Sequence, residues 1–241
     1  MKKIIAFCLC ICMALACLTS CNNNTPPKDT TSQKPVNKPE KTYTIDGNIL
    51  VSCIGQADAN GVFVIPENIT MIAESAFAGD SDLKEVVIGP HVKVIGSGAF
   101  QYCTSLETVT ISEGVETIGS HAFTNCTSLQ NISLPSTVSV LNEYAFYACE
   151  SLESISLKYI RQIRESAFYA CTSLESVEFS SELDKIGNWA FSQCRSLESV
   201  SFDGVTKLEE IGDYVFTGCS MLRSIEIPEG VRRIGILCFY D

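Results

Sequence analysis

One segment of about 23 residues recurs along most of the chain, and this repetition limits the possible folds more than any other feature. Most copies contain a phenylalanine, with a cysteine three residues later and a leucine six residues later. The phenylalanines follow one another at steps of 23, 23, 23, 22, 23, 25 and 23 residues, at Phe77, Phe100, Phe123, Phe146, Phe168, Phe191, Phe216 and Phe239. Such a period predicts a solenoid, in which each turn of the chain stacks on the previous one.

The pattern inside each copy predicts two short strands and a tight return. After Leu106, the apolar residues Val109 and Ile111 alternate with polar ones, which is typical of a strand with one buried face. A second apolar pair, Val115 and Ile118 in this copy, follows across a turn. We expect the small-Ala-Phe segment that comes next to form a helical turn. Because so short a repeat cannot bury its own apolar face, the copies must cover one another.

A glycine follows the second apolar pair in five copies, where we expect a positive φ that only glycine adopts at little cost. These residues are Gly96, Gly119, Gly187, Gly212 and Gly235. Arg164 occupies the same position in a copy that is one residue short. We therefore expect that its turn differs from the others.

The full motif, L-x-x-V-x-I-P-x-x-V-x-x-I-G-x-x-A-F-x-x-C, resembles the leucine-rich repeat of the Treponema pallidum type, found in BspA-like surface proteins. The resemblance runs from about Val62 to Phe239. It implies a leucine-rich repeat solenoid of the α/β horseshoe class, mostly β, with a parallel sheet, short second strands and helical turns. The departures from the motif are Asp80 in the first cysteine position, and Val215 and Cys238 in place of the alanine.

The sequence predicts four parts, at 1–20, 21–42, 43–61 and 62–241. The first has two lysines and an apolar core, as in a secretory signal peptide. Leu18-Thr19-Ser20-Cys21 resembles a bacterial lipobox, which implies cleavage before Cys21 and lipidation of its thiol, so that the protein is held at the cell envelope, facing outward. An ordinary signal peptide that is cleaved nearby is the alternative.

The second part, 21–42, has almost no apolar side chains and contains four prolines, so we expect a flexible tether behind the lipidated cysteine. The third part begins with YTIDGNILVSC, which resembles the hairpin that caps such solenoids, with Asp46-Gly47 as its turn. The fourth part is the solenoid itself, with about seven repeats of 23 residues. Its last copy contains Leu237 and Tyr240 without a following repeat, so we expect either self-capping or self-association through this C-terminal coil.

The recurring cysteines are predicted to form a buried, reduced thiol ladder, because free cysteine behaves as a small hydrophobic residue. Its members are Cys103, Cys126, Cys149, Cys171, Cys194 and Cys219. Disulfides between neighbouring copies are the alternative, but side chains that point in parallel leave the sulfur atoms too far apart for a bond. Zinc needs four converging ligands, whereas a ladder offers them in a line. The sequence therefore predicts no metal and no cofactor.

The charge balance excludes the usual nucleic-acid binders, because 17 basic and 28 acidic residues give a net charge of −11. Charged side chains between the two apolar positions change sign between neighbouring copies, which predicts surface ion pairs of small energy. The predicted pairs are Lys93–Glu116, Arg161–Asp184 and Glu209–Arg232. An anion site near Lys158, Arg161 and Arg164 is the alternative use of these cations.

Catalysis is not predicted, because no nucleophile stands near a base in any recognisable motif. A thiol enzyme that uses His121 and Cys126 would need an exposed ladder thiol, and this is the least favoured function. The favoured one is a lipid-anchored, non-catalytic surface protein that binds a host or bacterial surface protein or glycan. A purely structural envelope protein is the alternative. In both cases the only expected contact with the membrane is the N-terminal lipid.

Aromatic side chains beside the Ala-Phe turns are the predicted ligand-binding residues, because rigid rings bind at low entropic cost. They are Tyr144, Tyr147, Tyr169, Trp189 and Tyr214, which stacking should bring into one strip. The alternative is that the rings only cover the edge of the next copy. A flat, polar strand face is the competing surface, with short side chains at Thr108, Thr110, Ser154, Ser156, Ser176, Glu178, Ser199 and Ser201.

Overall fold

The computed structural model of the chain describes residues 43–240. The predicted signal peptide, Cys21 and the tether lie outside these residues. Short strands make up the regular structure, and each coil contributes up to two of them. The strands are β1 (Thr44–Asp46), β2 (Ile49–Ser52), β3 (Val62–Val64), β4 (Met71–Ile72), β5 (Glu85–Ile88), β6 (Val94–Ile95), β7 (Thr108–Ile111), β8 (Thr117–Ile118), β9 (Asn131–Ile132), β10 (Val140–Leu141), β11 (Ser154–Ile155), β12 (Gln162–Ile163), β13 (Ser176–Glu178), β14 (Lys185–Ile186), β15 (Ser199–Ser201), β16 (Glu210–Ile211) and β17 (Arg233–Ile234).

Two sides of the solenoid are parallel sheets, which confirms the predicted fold class. The first strands pair in the order β3-β5-β7-β9-β11, and a bridge between Leu157 and Phe179 leads on to β13-β15. The second strands pair as β2-β4-β6-β8 and as β10-β12-β14-β16-β17. Equivalent residues stand opposite one another, so that Val109 pairs with Val86 on one side and with Ile132 on the other. The repeat in sequence thus becomes a repeat in space.

At the N-terminal end, β1 and β2 form an antiparallel hairpin, and β2 also pairs in parallel with β4. The hairpin therefore adds its second strand to the sheet of second strands. Because Asp46 pairs with Ile49, the connecting residues are Gly47 and Asn48, one position later than the predicted turn. Gly47 has a φ of 62°, which fits the first central position of a type II′ turn.

The interior is filled by columns of identical side chains. The recurring phenylalanines, from Phe77 to Phe239, are called here the ladder phenylalanines. Successive members stack with ring centroids between 4.8 Å and 5.7 Å apart. The phenylalanines from Phe77 to Phe191 are fully buried, as are the leucines from Leu83 to Leu197 that follow them. One apolar core therefore runs the length of the described solenoid.

The glycines after the second strands are required for a different reason from the predicted one. None of the five has a positive φ, but each lies against the backbone of the preceding coil. A Cβ added to Gly119 would lie 2.6 Å from the nitrogen of Ser97, and one added to Gly187 would lie 2.7 Å from the nitrogen of Glu165. Close approach of neighbouring backbones therefore selects glycine here.

The predicted difference at Arg164 is absent from its backbone hydrogen bond and from the sign of its φ. Its backbone N–H donates to the carbonyl of Leu141 at 2.9 Å, as that of Gly187 does to Ile163 at 2.8 Å. Because neither residue has a positive φ, arginine can adopt the backbone conformation of this turn. The prediction was wrong because, like the interpretation of the glycines, it assumed a positive φ at this position.

The Ala-Phe segments were expected to form helical turns, but they do not. Two residues in each have a left-handed backbone: the residue before the alanine and the second residue after the phenylalanine. In one coil these are Tyr144, with a φ of 59°, and Ala148, with a φ of 54°. This conformation lets the N–H groups of Tyr144, Phe146 and Ala148 all donate to carbonyls of the next coil. The turns are thus a third hydrogen-bonded side of the solenoid.

Candidate functional site

Aromatic side chains stack in pairs along the turn side, on a surface defined here as the turn ridge. The ridge consists of the residue before each alanine and the residue after each ladder phenylalanine. Ring centroids are 4.6 Å apart for His121 and Tyr144, 5.0 Å for Tyr147 and Tyr169, and 5.2 Å for Trp189 and Tyr214. The two rings of each pair are parallel within 8°. All five predicted ligand-binding residues therefore lie on this surface.

These rings form two groups and not the single predicted strip. Tyr144 and Tyr147 are tilted neighbours at 5.8 Å, so they join the first two pairs into one group. Ser166 stands between Tyr144 and Trp189 in the column of residues before the alanines, and it is only 5% exposed. Ser192, the residue that follows Tyr169 in its own column, is 2% exposed. Both serines are buried, so neither places an exposed side chain between the two groups.

The backbone beneath the rings is strained. His121, Tyr144, Trp189 and Tyr214 have φ values of 54° to 59°, in the left-handed region that side chains with a Cβ adopt at a cost. Gly98, which has no such cost, occupies the equivalent position of another coil. The ridge therefore carries four of its rings at positions where glycine would be the less strained residue.

Polar groups line the ridge on the side of the second strands. The Tyr144 hydroxyl donates to Glu165 Oε1 at 2.9 Å, and this hydrogen bond raises the pKa of the tyrosine. Glu143 accepts hydrogen bonds from Ser120 Oγ at 2.9 Å and from Arg164 Nη1 at 3.2 Å. The pKa of Glu143 is lowered, first by its own backbone N–H and then by these partners.

His121 belongs to the ridge, although the sequence did not single it out as a ligand-binding residue. Burial lowers the pKa of His121, while the charge of Glu143 opposes that change. The lowered pKa favours the neutral form of the imidazole, which stacks on the ring of Tyr144. The sequence signal for this role was its position immediately before Ala122, where the other coils place Tyr144, Trp189 and Tyr214.

The six recurring thiols are buried in the core, and none of them is joined to another in a disulfide. Each donates a hydrogen bond to the carbonyl of a ladder phenylalanine in the preceding coil, at 3.0 Å to 3.2 Å. The donors are Cys103, Cys126, Cys149, Cys171, Cys194 and Cys219. Burial raises the pKa of Cys103 to about 12, and that of Cys171 to the same value. Because the thiolate is the nucleophile, these protonated thiols do not support a thiol enzyme.

Asp80 replaces cysteine at the first position of this ladder, where the solenoid meets the N-terminal hairpin. Its carboxylate is 2% exposed and accepts hydrogen bonds from the backbone N–H groups of Gly55 at 2.8 Å and Asp82 at 3.0 Å. A thiol has no acceptor of comparable strength for these two donors. Aspartate in place of cysteine therefore provides a hydrogen-bond acceptor for the backbone N–H of Gly55, in the loop that leads out of the hairpin.

Ion pairs connect neighbouring coils on the side of the second strands. Lys93–Glu116 and Arg161–Asp184 form as predicted, at 3.2 Å and 3.1 Å. The third predicted pair is displaced by one residue, because Arg233 binds Glu210 while Arg232 donates only its backbone N–H to Glu209. The possible anion site is not assembled: Arg161 and Arg164 are paired with carboxylates, and Lys158 lies over the ring of Tyr159.

The competing strand face is less flat than predicted. A groove of about 660 Å³ runs across β11 and β13, with Ser154, Ser176 and Glu178 among its polar residues and Phe179 among its apolar ones. Beside it, exposed glutamates stack in register, since Glu175 N donates to Glu153 O and Glu198 N to Glu175 O. This face therefore offers hydroxyl groups and negative charge.

From Tyr43 to Tyr240, no three His, Cys, Asp or Glu side chains are grouped closely enough to hold a metal ion. Nor does that part of the chain contain a helix that is long and apolar enough to cross a membrane.

Comparison with known proteins places the repeats in a family. A family model described as the BspA type leucine rich repeat region matches residues 59–160 and 141–241, in six copies. A leucine-rich repeat protein from Bacteroides ovatus is 25% identical with a TM-score of 0.59, over 80% of this chain and 59% of that one. The Treponema pallidum leucine-rich repeat protein is 26% identical with a TM-score of 0.51, over 75% of this chain and 87% of that one.

A leucine rich cell surface protein from Faecalibacterium prausnitzii is 25% identical over 72% of this chain and 68% of that one, with a TM-score of 0.33. No curated protein matches the sequence. The chain spans less than two thirds of the length of the Bacteroides ovatus protein.

Proposed function

Since the chain belongs to the BspA-type leucine-rich repeat family, we propose that it is a non-catalytic envelope protein whose turn ridge binds a ligand. Leucine-rich repeat solenoids are generally non-catalytic scaffolds. In this one, the buried thiols leave the ladder without a reactive nucleophile. Function then depends on the side chains that the scaffold presents to solvent, in particular those of the ridge.

The observation that carries this proposal is the placement of aromatic residues on strained backbone. Tyr144, Trp189 and Tyr214 occupy left-handed positions, each of which costs on the order of 1 kcal/mol compared with glycine. The hydrogen bonds between coils need only the backbone N–H at these positions, and the equivalent Gly98 supplies it equally well. The fold imposes the left-handed backbone in every coil, but it does not require an aromatic ring there, and residues kept at such a cost are typical of functional positions.

Export and lipid attachment are supported by the sequence at the N-terminus. Cys21 lies outside the described residues, and its lipobox context supports acylation of the mature N-terminus. The experiment is metabolic labelling with palmitate of cells that express either the wild-type chain or a Cys21→Ala variant. We expect label only in the wild type, and a labelled Cys21→Ala protein would disprove lipidation at this residue.

Binding is tested with the purified protein on arrays of extracellular proteins and of oligosaccharides. We expect a ligand whose binding is lost in the double variant Trp189→Ala and Tyr169→Ala, while thermal unfolding changes little. Tyr159→Ala is the matched control, because Tyr159 is 46% exposed and lies away from the ridge. If the double variant binds normally and lysine substitutions at Ser154 and Ser176 block binding, the strand face is the correct surface.

A purely structural role is the second candidate, and the parallel stacking of the rings favours it. Rings that stack on each other cover apolar surface between coils and thereby stabilise the ridge. In that case the aromatic substitutions would lower stability in proportion to the lost contact area, and neither array would contain a ligand.

A further inference from the structure

The stacking geometry of the ridge determines which parts of the rings a ligand can reach. Tyr147 and Tyr169 lie 5.0 Å apart and parallel within 5°, so each covers one face of the other. A planar group between two rings needs a centroid separation of roughly 7 Å, which is twice the van der Waals contact distance. The inner faces of this pair are therefore closed to any ligand.

The outer faces are also restricted. In the same coil, the ring of Tyr144 lies 5.8 Å from that of Tyr147 and is tilted by 53° against it, and His121 covers Tyr144 at 4.6 Å. Beyond Tyr169, the buried Ser192 occupies the next position of the column. The ring edges are therefore the parts that the half-buried tyrosines present to solvent.

Two phenol groups remain available at these edges. The hydroxyl of Tyr144 is engaged by Glu165, whereas the hydrogen bonds found among residues 43–240 do not use the hydroxyls of Tyr147 and Tyr169. Two side chains that are each partly buried thus expose a hydrogen-bonding edge at neighbouring positions. Tyrosine in this arrangement combines rigid apolar contact with a polar group, as at the centre of protein interfaces.

A glycan fits this surface poorly, because a sugar ring lays its C–H groups on the negatively polarised face of an aromatic ring. Small-ligand sites are also concave, whereas the two tyrosines project beside a turn. A groove on a folded protein can instead receive projecting ring edges and hydrogen-bond their hydroxyls. The Glu143–Arg164 ion pair and the exposed Glu150 lie nearby in the sequence, as a polar rim around such a contact.

Resting on the proposed function, we infer that the ligand of the ridge is a folded protein and that the Tyr147–Tyr169 edge pair inserts into a groove on it. Glu150 follows Tyr147 by three residues, Glu165 accepts from the hydroxyl of Tyr144, and the chain has a net charge of −11, so the rim of that groove is basic.

The test compares variants of the full chain on the two arrays. Tyr147→Phe with Tyr169→Phe keeps both rings and removes both hydroxyls, so we expect binding to an array protein to weaken about tenfold. Tyr147→Ala with Tyr169→Ala should weaken it by about a hundredfold. Tyr159→Phe, the control, should leave binding unchanged.

Nitration by tetranitromethane gives a second measurement that needs no variant. A bound array protein should protect Tyr147 and Tyr169 of the wild-type chain, while Tyr159 stays reactive. An oligosaccharide whose binding depends on Tyr147 would overturn the inference and leave the proposed function intact. Binding of an array protein that neither double variant weakens would also overturn the inference and leave the proposed function intact. If neither array contains a ligand, the proposed function fails, and this inference fails with it.

Discussion

At the scale of single residues, the recurring cysteine has two properties that neither alanine nor serine combines. Its sulfur fills the space between phenylalanine and leucine, and its S–H donates to a carbonyl of the preceding coil. That carbonyl, on Phe123 in the case of Cys149, already accepts the backbone N–H of Cys126. The thiol therefore adds a second, weak hydrogen bond and leaves no polar group unsatisfied.

Replacing Cys149 by alanine should lower the free energy of unfolding by about 1–2 kcal/mol, because the variant loses a small volume and a weak hydrogen bond. Cys149→Asp should destabilise the protein far more, because it buries a charge without a partner. Urea unfolding followed by circular dichroism measures both. Thr104→Ala, in an exposed position, is the control. Equal effects of alanine and aspartate would contradict a buried ladder.

The raised thiol pKa values predict a loss of stability at alkaline pH. Because the pKa of Cys103 is raised from 9.0 to about 12 in the folded protein, the folded state holds its proton more tightly than the unfolded state. The corresponding stability is complete below pH 9 and is lost as the pH rises towards 12. Lysine and tyrosine titrate in the same range, so the measured quantity is the difference between wild type and Cys103→Ala. A difference that does not change with pH would show that the thiol titrates normally.

At the scale of the structural element, strand pattern and turn chemistry were predictable to different degrees. Alternation such as Val109 and Ile111 fixes which face of a strand is buried, and the structure follows it. Backbone conformation at Gly119 was not predictable in this way, since its glycine is required by the neighbouring coil. The left-handed residues, such as Tyr144 and Ala148, have no local sequence signature. Hydrogen bonds to the next coil, which depend on stacking, stabilise them.

Gly119→Ala should therefore destabilise the protein by several kcal/mol, because its Cβ would overlap the backbone of Ser97 and Gly96. Gly89→Ala is the matched control, since nothing lies within 4 Å of its added Cβ and its φ is not positive. Thermal unfolding of the two variants should differ clearly. Similar midpoints would show that the coils can separate at little cost.

Ala170→Gly should have the opposite sign and raise stability by about 0.5–1 kcal/mol. Ala170 has a φ of 58°, so glycine removes the steric cost of the left-handed backbone. The greater entropy of glycine in the unfolded chain offsets part of the gain. A destabilised variant in chemical denaturation would mean that the alanine methyl contributes more packing than strain.

At the scale of the whole molecule, the repeat period was sufficient to predict the stacking and the core columns, while the family was indicated by the resemblance of the full motif. The arrangement of the ridge was less predictable, because Ser166 interrupts the rings and Tyr144 bends its hydroxyl towards Glu165. These details depend on the side chains that meet across coils. Sequence reasoning placed the five aromatic residues on one surface but could not give their stacking pairs.

In the described part of the chain, the C-terminal coil leaves Ile236 60%, Leu237 51% and Tyr240 61% exposed. Apolar surface of this kind favours association. We expect light scattering of the chain to show a mass that rises with concentration. Leu237→Ser with Tyr240→Ser should remain monomeric at every concentration, and a wild-type chain that stays monomeric would contradict the proposed contact.

The hydrogen bonds between coils have a mechanical consequence. On all three sides these bonds run along the stacking direction, so a pull along that direction loads the bonds of one coil at a time. Each coil that detaches releases about 23 residues, or roughly 75 Å of extended chain, in exchange for about 4.8 Å of folded length. A solenoid stretched between two surfaces would therefore lengthen in uniform steps and dissipate mechanical work at each step.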